Sequence, residues 1–254
     1  MIDFKKYNRL FTFGCSMTRY RWPTWADILS QEITNFHNYG QSGGGNLYIS
    51  NSIVEANLKH NFTERDLVIV MWSSTTREDR YLKNRWETPG NIYTQGVHSM
   101  EWVYKWGDQR FYLMRDLGLI AVTDAYLKQL PCETHMLSMC PLVEQNIQDN
   151  MKTVWYDDIM KIYNPVLERI KPDVLNTVYK GTWPQTPIEG YGQTADYHPT
   201  PEGHLEYLEK SFPGITITEK MKDLVEKYQK VVMEVKHLDE LNKYWVQGEY
   251  RDRL

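Results

Sequence analysis

Along this chain, short apolar runs alternate with longer stretches in which apolar positions recur at helical spacing. Leu10, Phe11 and Phe13, with the β-branched Thr12, predict a short strand that stops at Gly14. A helical pattern starts from about Thr24. Asn35 to Gln41 predicts a second strand, which runs into Ser42-Gly43-Gly44-Gly45-Asn46 and then a helix over about Leu47 to Lys59. Asp66 to Trp72 is an almost continuous apolar run, the pattern of a central parallel strand covered on both faces. It ends in the polar Ser73-Ser74-Thr75-Thr76. Next come a helix over about Gln109 to Gln129, a strand near Thr134 to Met139, and a helix over about Tyr156 to Ile170 that Lys171-Pro172 stops. Pro172 to Tyr179 reads as a short last strand and Lys180 to Thr194 as a loop. Thr200 makes a good N-cap and Pro201 a good first helical residue, so a helix follows to about Phe212. Strands alternating with helices predict an α/β fold with a parallel sheet and helices on both faces.

Two segments break this rhythm. Arg77 to Trp106 has no clear period, and its Tyr81, Trp86, Tyr93, Trp102, Tyr104 and Trp106 are interleaved with Arg77, Arg80, Lys83 and Arg85. Long connections of this kind are often lids or binding loops. The segment reads either as a platform for a ring-shaped or anionic ligand or as a flap whose aromatics cover core. The second segment is the tail, 213–254, set apart from an α/β domain over 1–212. Thr216-Ile217-Thr218-Glu219 reads as a capping box. Ile217, Met221, Leu224, Tyr228, Val231, Val235 and Leu238 then recur at alternating intervals of four and three. That spacing suits a coiled-coil seam and self-association, or one long amphipathic helix packed back on its own domain.

Composition narrows the classes. A length of 254 residues allows one domain, or one domain with an appendage. A net charge of −4 argues against a general nucleic-acid binder and gives no membrane-surface signal. No apolar run is long enough to span a bilayer, and the first residues are too polar for a secretory signal. Cys15, Cys132 and Cys140 have no Cys-x-x-Cys spacing, so a reducing cytoplasm is expected. The glycine run lacks both nucleotide-binding fingerprints, and no cofactor is expected.

Candidate chemistry gathers at the predicted strand ends. Ser16 follows the first strand on a turn, where a hydroxyl is lifted clear of the sheet and a following helix N-terminus can offer N–H groups to an oxyanion. Asp196 and His198 share a loop just ahead of a helix. Ser16, Gly43, Thr75 and the His198 loop all fall where parallel sheets bind ligands, beyond the carboxyl ends of the strands. His204, on the helix itself, reads as a surface or core histidine. A metal site built from Asp196, His198 and His204 lacks a fourth partner, and none is expected.

With these segments in place the chain resembles the SGNH hydrolases, also called GDSL-type esterases, over about Arg9 to Phe212. The resemblance implies a three-layer α/β/α sandwich with a flavodoxin-like parallel sheet, here with a long C-terminal helix added. Phe13-Gly14-Cys15-Ser16-Met17 is similar to the family's first block, with Ser16 as nucleophile and Cys15 in place of its usual Asp. Asn38-Tyr39-Gly40-Gln41-Ser42-Gly43 is similar to the second, with Gly43 as the oxyanion-hole glycine. The third block departs: Thr75 stands where the family has an oxyanion-hole Asn, and Asn46 or Ser74 are candidates to compensate. Asp196-Tyr197-His198-Pro199 is similar to the last block, although the family more often has two residues between Asp and His and this chain has one.

The resemblance implies acyl transfer. Ser16 would attack, His198 would act as base, Asp196 would orient it, and Ser16 and Gly43 N–H groups with Thr75 would hold the oxyanion. Trp86, Trp102 and Trp183 would suit an acylated sugar among small-molecule or glycan acyl esters. Two other classes stay open: a glycan or acyl-ester binding module that lost efficient chemistry, and an oligomeric structural protein organised by the 217–238 seam. The style of the sequence also suggests a viral source, which would make the expected compartment a host cytoplasm.

Overall fold

The computed structural model describes residues 2–143 and 154–244, with backbone alone at 154 and 155. Its centre is a four-stranded parallel sheet of β1 (Arg9–Gly14), β2 (Asn35–Gly40), β3 (Asp66–Trp72) and β6 (Glu133–Ser138), in the order β2-β1-β3-β6. The register aligns Phe13 with Tyr39 on one side and with Val70 on the other. The chain leaves β1 to one side for β2 and returns across it for β3, which puts the topological switch point beside β1.

Period-two alternation divides the side chains of the strands between two cores. Leu10, Leu67, Ile69 and Met71 face Trp25 and Ile28 of α1 (Trp25–Leu29) and Tyr207 and Leu208 of α7 (Pro201–Ser211). Phe11, Phe13, Val68, Val70 and Trp72 face Tyr48, Ile49 and Ile53 of α2 (Asn46–His60) and Ile120 of α4 (Gln109–Leu127). Every residue of β3 is buried, as its apolar run predicts for a strand covered on both faces. The three-layer α/β/α arrangement is therefore observed.

Three elements differ from their sequence reading. The 77–106 segment is not all irregular: β4 (Arg80–Leu82) and β5 (Arg85–Glu87) form a hairpin, and α3 (Met100–Trp106) follows. Lys83 and Asn84, both at positive φ (51° and 62°), make the two-residue turn, which has the backbone twist that hairpins favour. After α5 (Val154–Leu167), Pro172 to Tyr179 is not a strand. Asp173 accepts from Asn176 N–H at 2.8 Å and starts a short helix, α6 (Val174–Tyr179). Beside β6 a single bridge between Met136 and Ile170 stands where another strand would lie.

The tail helix, α8 (Glu219–Glu234), is capped by Thr218 rather than Thr216. It packs on α7 and α1 of its own chain. Its buried face is Met221, Val225, Tyr228 and Val232, rotated from the predicted heptad seam. Met221 and Val225 join the sheet's core. Val232, Val235, Leu238 and Leu241 form another cluster with Tyr20, Trp22 and Ile188. The apolar seam read as a possible oligomerisation surface is thus largely buried within the chain, because a surface helix covering a domain needs the same apolar repeat as a coiled coil. Residues 245–254 of the tail lie outside the described residues.

Candidate active site

At the end of β1 the chain turns tightly. A Cβ on Gly14 would lie 2.0 Å from Thr18 Oγ1 and 3.1 Å from the Met71 carbonyl, so a side chain is excluded there. Thr18 N–H returns to the Cys15 carbonyl at 3.0 Å, closing a turn with Ser16 inside it. The α1 helix starts only at Trp25, where Asp27 accepts from Thr24 N–H at 2.8 Å. Ser16 therefore sits on a free-standing turn, not at a helix N-terminus as the sequence suggested. Cys15 is fully buried, its Sγ 3.5 Å from Met139 Sδ.

On the far side, Asp196 is held by a two-way backbone bridge to Thr186, and Trp22 Nε1 donates to the Pro199 carbonyl at 2.8 Å. The Thr200 cap and Pro201 start α7 as the sequence indicated. This places His198 Nε2 2.9 Å from Ser16 Oγ, and His198 Nδ1 2.9 Å from Asp196 Oδ1. Asp196 Oδ1 also accepts from the His198 backbone N–H at 2.8 Å, which the single intervening residue makes possible. With Nδ1 donating to the carboxylate, Nε2 is left to accept from the serine hydroxyl. Burial pushes the Asp196 carboxyl up, but hydrogen bonds from His198 and Tyr20 and the charge of His198 outweigh it, leaving it below the usual carboxylate range.

Between these two segments lies the glycine run. Gly43 adopts φ +72°, and a Cβ there would come within 2.1 Å of the Thr88 carbonyl. Thr88 is tied to this turn by Gln41 Nε2 (3.0 Å) and by its own donation to the Ser42 carbonyl (2.8 Å). The segment following the 80–87 hairpin thus forms a rim beside Gly43. Asp79 accepts from Gly45 N–H (2.8 Å) and Tyr48 N–H (2.9 Å), capping α2 from outside the helix. The Ser16 and Gly43 N–H groups have no acceptor among the described residues.

The end of β3 is tied to the start of α2. Asn46 is committed to the end of β3: its amide donates to the Ser73 carbonyl (3.1 Å) and Asp116 (2.8 Å), and it accepts from Ser73 N–H (2.9 Å). Ser74 Oγ pairs with Thr76 Oγ1 at 2.9 Å. Thr75 is 1% exposed, and its enclosed hydroxyl has no hydrogen-bond partner among the described residues.

The three tryptophans read as substrate contacts each pack against different partners. Trp86 packs edge-on to Tyr48, with ring centroids 5.8 Å apart, and lies partly buried on the sheet's core. Trp102 stacks on His98 at 4.1 Å with the Arg80 guanidinium nearby. Trp183 lies partly buried beside Tyr179. His204 is fully buried, with neither ring nitrogen partnered among the described residues, and burial followed by the charge of His198 pushes its pKa down to about 3. Among the described residues, no three His, Cys, Asp or Glu side chains gather as metal ligands would. No helix among them is long and apolar enough to cross a membrane.

Sequence reasoning missed several residues here. Asp79 looked like part of a basic, aromatic loop, and its aspartate had no local signal of capping a distant helix. Arg77 donates to the Gly44 carbonyl at 2.9 Å, has a second nitrogen 3.7 Å from Met139 Sδ, and keeps its Nε enclosed and unpartnered. Its guanidinium therefore touches the neighbours in sequence of both Gly43 and, through Met139, Ser16. Tyr20 donates to Asp196 Oδ2 and stacks on His198, with ring centroids 3.7 Å apart.

No protein-family model matches the sequence, and no curated protein matches it significantly. Among solved structures, the fold resembles those of GDSL-type hydrolases. A member of the lipolytic G-D-S-L family from Veillonella parvula shares 17% identity, with 80% of this chain and 94% of that one covered and a TM-score of 0.38. A GDSL-like lipase from Bacteroides thetaiotaomicron shares 14% identity, with 91% and 89% covered and a TM-score of 0.38. An acetyl xylan esterase from Geobacillus stearothermophilus shares 16%, with 84% and 100% covered and a TM-score of 0.36. Nothing in these likenesses bears on a viral source.

Proposed function

We propose that this chain is a serine esterase or acyl hydrolase, with Ser16 as nucleophile, His198 as general base and Asp196 as its orienting acid. The observation that carries the reading is the continuous relay from Ser16 Oγ through His198 to Asp196, each link 2.9 Å long, built from segments far apart in the chain. A serine hydroxyl is a weak nucleophile unless a base takes its proton as it attacks. In this reading Ser16 Oγ bonds to the acyl carbon while its proton passes to His198 Nε2. The oxyanion is held by the Ser16 and Gly43 N–H groups, with Thr75 as a third donor. Arg77, bound to the neighbouring Gly44 carbonyl, adds positive charge close by. Collapse expels the alcohol with the proton from His198, and water or a second hydroxyl then takes the acyl group by the reverse route. Carbohydrate acyl esters are the substrate class we favour, with Trp86, Trp102 and Trp183 as candidate sugar contacts.

One observation favours the second reading, a binding module with little turnover. The Thr75 hydroxyl is enclosed, and the donor expected from the resemblance is an Asn. Intact-mass labelling with a fluorophosphonate decides between them. The esterase reading expects one adduct on the native chain, formed slowly by His198→Ala and not at all by Ser16→Ala. A folded native chain that takes no adduct would leave the binding module as the better description.

A further inference from the structure

We propose that Tyr20 is a positioning residue of the candidate triad, fixing the Asp196 carboxylate through its hydroxyl and the His198 imidazole through its ring. The inference rests on the reading of Ser16, His198 and Asp196 as a triad and names a fourth member that no part of the sequence pattern marked.

The short Asp-x-His spacing creates the need. Asp196 Oδ1 accepts both from His198 Nδ1 (2.9 Å) and from the His198 backbone N–H (2.8 Å). One oxygen thus carries both contacts to the histidine. Rotation of the carboxylate about its Cβ–Cγ bond would break both together, and a hydrogen bond to the second oxygen resists it. Tyr20 OH donates to that oxygen, Oδ2. The same tyrosine lies flat on the imidazole, with centroids 3.7 Å apart and planes 21° apart. It therefore closes one face of the ring and resists tilting of the ring out of that plane. When His198 takes up the serine proton, the imidazolium meets the electron-rich face of a phenol, a cation–π contact. Tyr20 remains a donor throughout, since burial and the Asp196 charge both raise its pKa.

Tyr20 is itself held. It is 4% exposed and meets Trp22 edge-on at 4.6 Å and 85°. Both belong to the cluster closed by Ile188 and by the tail residues Val232, Val235, Leu238 and Leu241. Trp22 in turn holds the carbonyl of Pro199, next to His198. The tail helix is therefore connected to the triad through Tyr20 and Trp22, which gives it a place in the function. The titratable or charged groups named against Tyr20 are Asp196, His198 and Tyr191 from the loop after α6 and Arg21 beside it, with His204 of α7 acting on His198.

Tyr20→Phe keeps the stack and removes the hydroxyl, whereas Tyr20→Leu removes both. The experiment follows the fluorophosphonate labelling rate of the full chain against pH, with circular dichroism confirming folding. A second readout is the downfield proton resonance of an imidazole N–H bound to a carboxylate, assigned by its loss in His198→Ala. Tyr20→Phe is expected to label about tenfold more slowly, as for loss of one hydrogen bond to a charged group. Its acid limb should move to higher pH, because a carboxylate with one donor fewer holds the imidazolium more strongly. The downfield resonance should shift. A merely structural role for Tyr20 would change the folded fraction and leave the shape of the profile and the resonance untouched. That result in a folded Tyr20→Phe overturns the proposal. If the native chain takes no label while the resonance still shifts in Tyr20→Phe, the esterase reading fails and the positioning of His198 by Tyr20 stands.

Discussion

Ser16 Oγ lies 2.9 Å from His198 Nε2 although 182 positions separate the two residues in the chain. Their meeting is produced by the parallel sheet, which brings the end of β1 and the loop before α7 to the same edge. Asp196 completes the relay behind His198. In Asp196→Asn the amide would favour the tautomer with the proton on Nε2, which cannot accept from serine. Labelling of Ser16 is expected to fall by on the order of 10² to 10⁴ with the fold retained. An Asp196→Asn chain that labels at the native rate would remove Asp196 from the triad.

Gly43 offers a test of the oxyanion turn with an internal control. Gly43→Ala must tolerate φ +72° and a Cβ 2.1 Å from the Thr88 carbonyl, a backbone atom that cannot swing away. Gly96→Ala also faces a positive φ, +85°, but its Cβ would meet nothing within 4 Å. Gly96→Ala is expected to cost about 1–2 kcal/mol, the usual penalty for the left-handed region. Gly43→Ala should cost more and should also slow labelling. Urea titrations of both variants supply the comparison, and equal costs would mean the 88–90 rim is looser than described.

Arg77→Met retains much of the side chain's volume and removes its charge. If the guanidinium supports the oxyanion from beside Gly44, acylation should slow by on the order of tenfold, less than for loss of a direct donor. Arg77→Lys should recover part of the rate. Native rates in Arg77→Met, measured with the fluorophosphonate or a nitrophenyl ester, would reduce Arg77 to a structural tie between the Gly44 turn and Met139.

His204 dictates a particular acid sensitivity. Its folded pKa, about 3, lies below the ordinary 6.5, so the native state favours the neutral ring. The stability this contributes is complete above pH 6.5 and is lost as pH falls toward 3. At pH 5 the loss is about 2 kcal/mol relative to pH 7. Asp27, raised to about 6 mainly by burial, acts in the opposite sense, since its protonation on acidification favours the native state. Comparing His204→Leu with the native chain by urea unfolding at pH 7 and pH 5 cancels Asp27 and the other groups. The stability difference should move by about 2 kcal/mol in favour of the variant at pH 5. No change between the two pH values would mean that the His204 ring is solvated.

The tail should be part of the folding unit. Leu238→Ala removes a side chain that is 3% exposed and packed with Tyr20 and Ile188. The expected cost is about 2–5 kcal/mol. Because the same cluster backs Tyr20, labelling should slow in the folded fraction as well. Unchanged stability would instead favour the reading of the seam as a surface for a second copy.

Much of this molecule was determined by local sequence. The apolar and β-branched run of β1, the continuous apolar run of β3, and the Thr200-Pro201 start of α7 each state their structure within a few residues, because strand propensity, capping and proline geometry are local rules. The candidate nucleophile and the Asp196/His198 loop were legible for a related reason, since polar residues at strand ends are where a parallel sheet exposes chemistry. What lay outside the sequence was every relation decided by a distant partner. The heptad of the tail was real, but only packing chose between a second chain and the α1 and α7 surface, and the two present the same apolar repeat. Asn46 carried the right chemistry for an oxyanion donor and was drawn instead to Ser73 and Asp116. Tyr20 and Asp79 had no local signature at all. Each satisfies a polar group that becomes buried only when the chain has folded, and that requirement arises from tertiary structure alone.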